Sequence, residues 1–161
     1  MESEVYAYFL LIGVDFQPDE ITAQVGITPT KTWTKGDLRL PGAVVRHQEN
    51  GWMVLSKLDR SADLEEHIKS VLEQLQPSWD ILQKLCLLHS AEFACVVYSY
   101  GGDRPAIHFD REVIKQVNEL NSTIDVDSTY SQKKIPHEVG QHSLGYVKSC
   151  CSPRGFRYPS S

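Results

Sequence analysis

Asp125 and Asp127, in the run Ser122-Thr-Ile-Asp-Val-Asp-Ser-Thr129, form the carboxylate pair best placed for chemistry. On an extended chain the period of two puts both on the face opposite Ile124 and Val126, about 7 Å apart. That separation suits paired acid–base work or the binding of one hard cation. It equally suits a plain structural task, since acidic side chains on a terminal strand keep a sheet edge from mispairing. A second concentration lies in Gly26-Ile-Thr-Pro-Thr-Lys-Thr-Trp-Thr-Lys-Gly-Asp37, with Thr28, Thr30, Lys31, Trp33, Lys35 and Asp37 as its candidate binding residues. Hydroxyls and ammonium groups attract anions, but the glycine-rich cradle of a phosphate loop is missing. Trp33 between two lysines reads either as the anchor of a contact patch or as core.

Other chemistries find less support. His137-Glu-Val-Gly-Gln-His142 spaces its histidines at i and i+5, whereas a zinc-binding helix needs i and i+4 to share a face. Cys150 and Cys151 are adjacent and have no second pair to complete a tetrahedral site. A Gly-x-Ser-x-Gly elbow is absent. Cys95 alternates into a buried strand face, His67 belongs to an apolar helical stripe, and His108 alternates with Ile107 and Phe109. The expectation is a protein with no cofactor, no metal site and no catalytic residues.

Composition sets wider bounds. A chain of 161 residues, 41% apolar, fits one domain with a single core. The acidic start Met-Glu-Ser-Glu is unlike a signal peptide, and the apolar run Val5 to Val14 is too short to span a membrane. A cytoplasmic protein with reduced thiols and no membrane partner is expected. The net charge of −5 is unevenly spread. Residues 131–161 hold Lys133, Lys134, Lys148, Arg154 and Arg157 against Glu138, a local +4, which leaves −9 for residues 1–130. Within that acidic body, residues 26–47 set Lys31, Lys35, Arg39 and Arg46 against Asp37, a basic island of +3. Such an island is a candidate site for an anion or an acidic partner. The acidic total disfavours nucleic acid, whose binding rests on neutralising phosphates.

The elements that must position these residues follow from pattern. Val5 to Ile12 is apolar on both alternating faces and predicts a central strand. Pro18, Asp19 and Glu20 open a short helix that stops at Gly26, with Phe16 and Ile21 spaced as a hydrophobic staple. Ala43 to His47 and Trp52 to Leu58 predict a hairpin turning at Asn50-Gly51. Leu64 to Leu75 carries one helical stripe behind Asp63, Pro77 interrupts it, and Trp79 to Leu88 resumes it. Phe93 to Tyr100 and Ala106 to Phe109 predict a second hairpin around Gly101-Gly102-Asp103. Asp110 caps a further helix, and Thr123 to Asp127 closes as a strand. The order β-α-β-β-α-α-β-β-α-β predicts an α+β fold, a mostly antiparallel sheet covered by helices and ferredoxin-like in part. The globular domain is expected over residues 1–130. Residues 131–161, rich in Ser, Pro, Gly and Lys, read as a flexible basic appendage.

Asp15-Phe-Gln-Pro-Asp-Glu-Ile21, the Gly26 to Asp37 stretch and Ile124-Asp-Val-Asp-Ser-Thr-Tyr130 together resemble the bacterial DUF4279 family, over about residues 5 to 130. The resemblance implies a fold boundary and supplies no activity; small bacterial families of this kind are sometimes suspected of serving as immunity proteins beside secreted toxins. The reading is a non-catalytic protein-binding module whose acidic surface covers a basic site on a toxin-like partner. The alternative is a ligand-binding or enzymatic domain using Thr28 to Asp37 with Asp125 and Asp127. A homodimer joined through an exposed strand edge is a third possibility.

Overall fold

The double-sided apolar run near the N-terminus forms the middle of the molecule. In the computed structural model, which describes residues 3–131, it is strand β1 (Glu4–Gly13), flanked on both sides by antiparallel partners. Strand β3 (Asn50–Leu55) pairs on one side through Leu10 opposite Met53 and Leu11 opposite Trp52. On the other side lies β4 (Ser90–Tyr100), with Phe9 opposite Phe93. A short β2 (Lys31–Trp33) adds to β3, and β5 (Thr123–Ser131) runs parallel to β4, giving the order β2-β3-β1-β4-β5. The first four strands are antiparallel throughout and split two β-α-β units, which is the ferredoxin-like arrangement. The fifth strand is appended by one further β-α-β crossover.

The helices form where their caps and stripes predict them. Helix α1 (Pro18–Val25) starts on its proline, and Gly26, at φ 65°, ends it in the left-handed conformation that glycine adopts without strain. Phe16 and Ile21, the two staple residues, are both buried. Helix α2 (Leu64–Leu75) buries Leu64, His67, Ile68, Val71, Leu72 and Leu75. A single 3-10 turn at Gln76–Ser78 absorbs Pro77 before α3 (Trp79–Leu88) begins. Helix α4 (Arg111–Glu119) is capped by Asp110, whose Oδ1 accepts the Val113 amide at 2.8 Å. None of these helices is long and apolar enough to cross a membrane.

All four helices pack on one face of the sheet. There Val5, Ala7, Phe9 and Leu11 of β1 meet Trp52, Val54, Phe93, Cys95 and Val97 and the buried stripes of the helices. Phe9 sits edge-on to Phe93 and to Trp52, with centroids 5.3 and 6.4 Å apart. The Trp52 indole finds its polar partner in Thr22 Oγ1 at 3.1 Å. The opposite face carries a second apolar cluster of Tyr8, Leu10, Trp33, Met53, Ala94 and Val96, bordered by Tyr6, Ile12, Leu55 and Tyr98, and no described helix residue belongs to it.

Two expected strands are corrected. Residues 43–47 do not pair with 52–58: only an isolated bridge, Leu38 with Arg46, forms in that loop, and the strand beside β3 on the side away from β1 is Lys31–Trp33. Asn50 and Gly51 are not a turn but the start of β3, because Gly51 has no side chain and Trp33 lies across it. Ala106 to Phe109 stays outside the sheet, since β1 and β5 already occupy both edges of β4. The proposed boundary after residue 130 falls one residue before the end of β5, and the segment beyond it, with His137, His142, Cys150 and Cys151, lies outside the described residues.

Gly51 gives a direct test of this packing. A methyl group there would meet Trp33 Cε2 and Cζ2 at 2.1 Å, and the indole is rigid and buried, so Gly51→Ala should cost about 1–3 kcal/mol by overpacking. Urea unfolding followed by tryptophan fluorescence measures it, and unchanged stability would mean that the ring is free to move aside.

Candidate functional site

The predicted binding residues separate into four groups once the chain folds, with Lys35 and Asp37 on the 34–49 loop. Lys31 and Trp33 stand on β2 and face the helix-free side of the sheet beside Met53. Asp125 and Asp127 face the same side from β5, opposite Ala94 and Val96. Four strand spacings, about 19 Å, lie between them. Thr28 and Thr30 border an open hollow of about 440 Å³ with Leu55, Ser56, Lys57 and Gln74. The Thr30 hydroxyl accepts the Leu55 amide at 2.9 Å and so extends the β2–β3 ladder. The single site imagined from Thr28–Asp37 and the two aspartates is therefore not assembled.

Residues 34–49 form a long projecting loop held at its base by a dense set of bonds. Asp37 Oδ2 accepts both the amide and the hydroxyl of Thr34, at 2.7 and 3.1 Å, and these bonds hold its carboxyl below the usual carboxylate range. Asp37 thus fixes a turn. Asn50 Oδ1 accepts the Lys35 amide at 2.7 Å while its Nδ2 donates to the Phe16 carbonyl at 2.6 Å, tying the loop to the start of α1. Arg46 Nη1 donates to the Gly36 carbonyl at 2.7 Å, and the Arg39 amide donates to the Val45 carbonyl at 3.0 Å. His47 stacks on Trp33 with centroids 4.6 Å apart, and burial, then Arg39 and Lys31, lower its pKa, which keeps the ring neutral. Trp33 is buried and anchors the loop from beneath, so it is not the surface anchor considered in the sequence.

What this brace presents was missed in the sequence. Leu38, Leu40, Val44 and Val45 all point to solvent, Val44 at 94% exposure, with Lys35, Arg39 and Arg46 along the same loop. The signal was legible as aliphatic residues in a segment with Gly36, Pro41 and Gly42. It was lost because Ala43 to His47 was assigned to a strand, which would have buried alternate side chains.

Across the helix-free face lies a second charged region. Glu92, opposite Leu10, and Asp125 and Asp127 form an acidic border beside Tyr6, Tyr8 and Tyr98. Arg60 lies over the Tyr6 ring, 4.8 Å from its centroid, and pairs with Glu4 at 3.3 Å. Burial, reinforced by Tyr98, pushes the Tyr6 hydroxyl up to about 12.

The two described cysteines and the core histidine are structural in setting. Burial pushes the thiols of Cys86 and Cys95 up to about 12, leaving both protonated and weakly nucleophilic. His108 lies on the 101–110 connection, exposed, with Nε2 3.8 Å from Glu65. His67 is wholly buried, and its Nδ1 lies 2.5 Å from Ser56 Oγ. Among the described residues no group of three or more His, Cys, Asp or Glu side chains comes together as a metal cage.

A model of a domain of unknown function, DUF4279, matches residues 3–131. No curated protein and no solved structure matches the chain.

The His67 setting predicts a pH dependence. Burial lowers its pKa below 6.5 in the folded chain, with Asp59 opposing more weakly. Below 6.5 the unfolded chain therefore takes up a proton that the folded chain refuses. The contribution to stability is complete above that value and shrinks as pH falls toward the folded pKa, with a slope of at most about 1.4 kcal/mol per pH unit. His47 adds in the same direction. Urea unfolding of the wild type and of His67→Gln, from pH 7.5 to 5, should show a shallower slope in the variant; equal slopes would place the proton uptake elsewhere.

Proposed function

The chain belongs to the DUF4279 family, and from that footing we propose that it is a non-catalytic protein-binding module whose contact surface is the 34–49 loop. The observation that carries this reading is the exposure of Leu38, Leu40, Val44 and Val45 on one braced loop. Four exposed aliphatic side chains close together in sequence on one loop, interleaved with cationic residues, fit an interaction surface. The brace matters as much as the patch. Hydrogen bonds through Asp37, Asn50 and Arg46, with the Trp33–His47 stack below, hold the loop before contact and reduce the ordering cost of binding.

The complementary partner surface is an apolar cleft with carboxylates at its rim, facing Lys35, Arg39 and Arg46. This reverses the expected polarity: the acidic body is not the contact, but it repels polyanions at long range while the basic island meets its partner locally. A small bacterial module of this kind fits an immunity role, in which a toxin-like protein is held inactive by one presented loop. The ligand-binding or enzymatic alternative has less support, because Lys31–Trp33 and the two aspartates stand on strands at opposite edges of the sheet.

The test is co-purification from the source cells with wild type, Val44→Asp with Leu40→Asp, and Ile114→Asp, an exposed control on α4. The loop variant should lose its partner by at least about tenfold, the control should keep it, and all three should share one circular dichroism spectrum. Equal retention by the loop variant would overturn the assignment. A partner that proves to be the chain itself, with a dimer abolished by the loop changes, would make the module self-associating rather than immunity-like.

A further inference from the structure

We propose that His47 is a pH-operated latch on the 34–49 loop: its neutral ring holds the loop presented, and protonation releases it. The regulatory meaning of the latch rests on the loop being the contact surface, while the latch itself operates in the chain alone.

His47 sits where a small ribbon is rooted. At the tip, Leu40-Pro-Gly-Ala43 turns with Gly42 at φ 77° and the Ala43 amide donating to the Leu40 carbonyl at 3.1 Å, as a proline followed by a glycine favours. Below the tip the Arg39 amide donates to the Val45 carbonyl at 3.0 Å, and Leu38 bridges to Arg46. At the root the His47 amide donates to the Asp37 carbonyl at 2.9 Å, and the His47 carbonyl accepts the Gly36 amide at 2.9 Å. The imidazole of the same residue lies on Trp33, with centroids 4.6 Å apart and planes 22° from parallel. Trp33 is only 7% exposed and lies across Gly51, so it is a fixed point of the sheet. One residue thus joins the last backbone bonds of the ribbon to the body of the domain.

The setting opposes a charge on that ring. Partial burial disfavours the imidazolium most, followed by Arg39 on the outgoing arm of the ribbon and Lys31 on β2. Asp37 favours it more weakly, and Asp37 Oδ2 already accepts two bonds from Thr34. The next strand, β3, carries no ionisable side chain. The indole face attracts a cation, yet the balance of these effects lowers the His47 pKa below its ordinary 6.5. A ring that leaves Trp33 for water escapes the burial penalty and binds a proton more readily. Acid therefore shifts the loop toward release, by at most about tenfold per pH unit below 6.5. Because apparent affinity scales with the fraction of chains in the presented state, the contact weakens in acid while the sheet stays intact.

The test reads the loop of the full chain without a partner. Amide exchange followed by NMR from pH 7.5 to 5, corrected for the intrinsic rate of each amide, compares Arg39, Ala43 and His47 with Phe9 and Leu11 of β1. Protection of the three loop amides should fall severalfold as the pH drops, with β1 unchanged and the His47 ring titrating below 6.5. His47→Phe, which keeps a stacking ring but binds no proton, should hold loop protection level across the range; His47→Tyr serves the same purpose if phenylalanine disturbs the circular dichroism spectrum. Lys31→Gln should raise the midpoint of the His47 titration. Loop protection independent of pH in the wild type, or a fall shared equally by β1, would overturn the latch, as would a wild-type pH response in both ring variants. Partner loss by the Val44→Asp, Leu40→Asp chain is a separate reading: a pH-sensitive loop that proves dispensable for the partner would leave the latch standing and remove only the contact assignment.

Discussion

Strands β1 and β4 are apolar on both faces, and the rest of the molecule is arranged around having to cover both. One face is satisfied conventionally by four helices whose stripes close over Phe9, Trp52 and Phe93. Each large side chain buried there contributes roughly 1.5–3 kcal/mol, so this layer supplies most of the driving force for folding. The other face is equally dry at its centre, at Tyr8, Leu10 and Met53, and among the described residues its cluster is made of strand residues. That asymmetry separates a helical side that is structural from a sheet side bordered by chemistry: lysine and tryptophan at the β2 edge, carboxylates and tyrosines toward β5.

The β2 edge shows how a small steric fact directs a larger feature. Gly51 leaves room for the Trp33 indole to lie on the sheet, and His47 then stacks on Trp33. With the base of the loop fixed in this way, Asp37, Asn50 and Arg46 have defined positions from which to bond its backbone. The result is a loop ordered from beneath whose aliphatic residues have nowhere to turn but outward. In the stretch that looked in the sequence like an anion site, Thr30, Thr34 and Asp37 are engaged in internal hydrogen bonds, while Leu38, Leu40, Val44 and Val45 stay exposed on the same loop as Lys35, Arg39 and Arg46.

Much of the fold was legible because it is written in short-range pattern. The stops at Gly26 and Pro77, the cap at Asp110 and the stripes of α2 and α4 depend on residues within one or two turns of each other, where spacing fixes geometry. The doubly apolar run of β1 likewise announces a central strand by itself. Asn50-Gly51 misled for the same reason: locally it is a good hairpin turn, and only the arrival of Trp33 from seventeen residues earlier makes it a strand.

The sequence by itself determined that this is an acidic α+β domain with a central apolar strand, helices at set places, a basic island near residues 26–47 and carboxylates aligned on one face of the last strand. Tertiary structure alone decided that Lys31–Trp33 is the edge strand, that β5 lies parallel to β4, that Ser56 meets His67, and that the island and the aspartates stand at opposite edges of one sheet. The physical reason is the range of the interactions involved. Periodicity and capping act between neighbours along the chain, whereas strand order and side-chain convergence are set by competition among distant segments for the same edges and the same buried area.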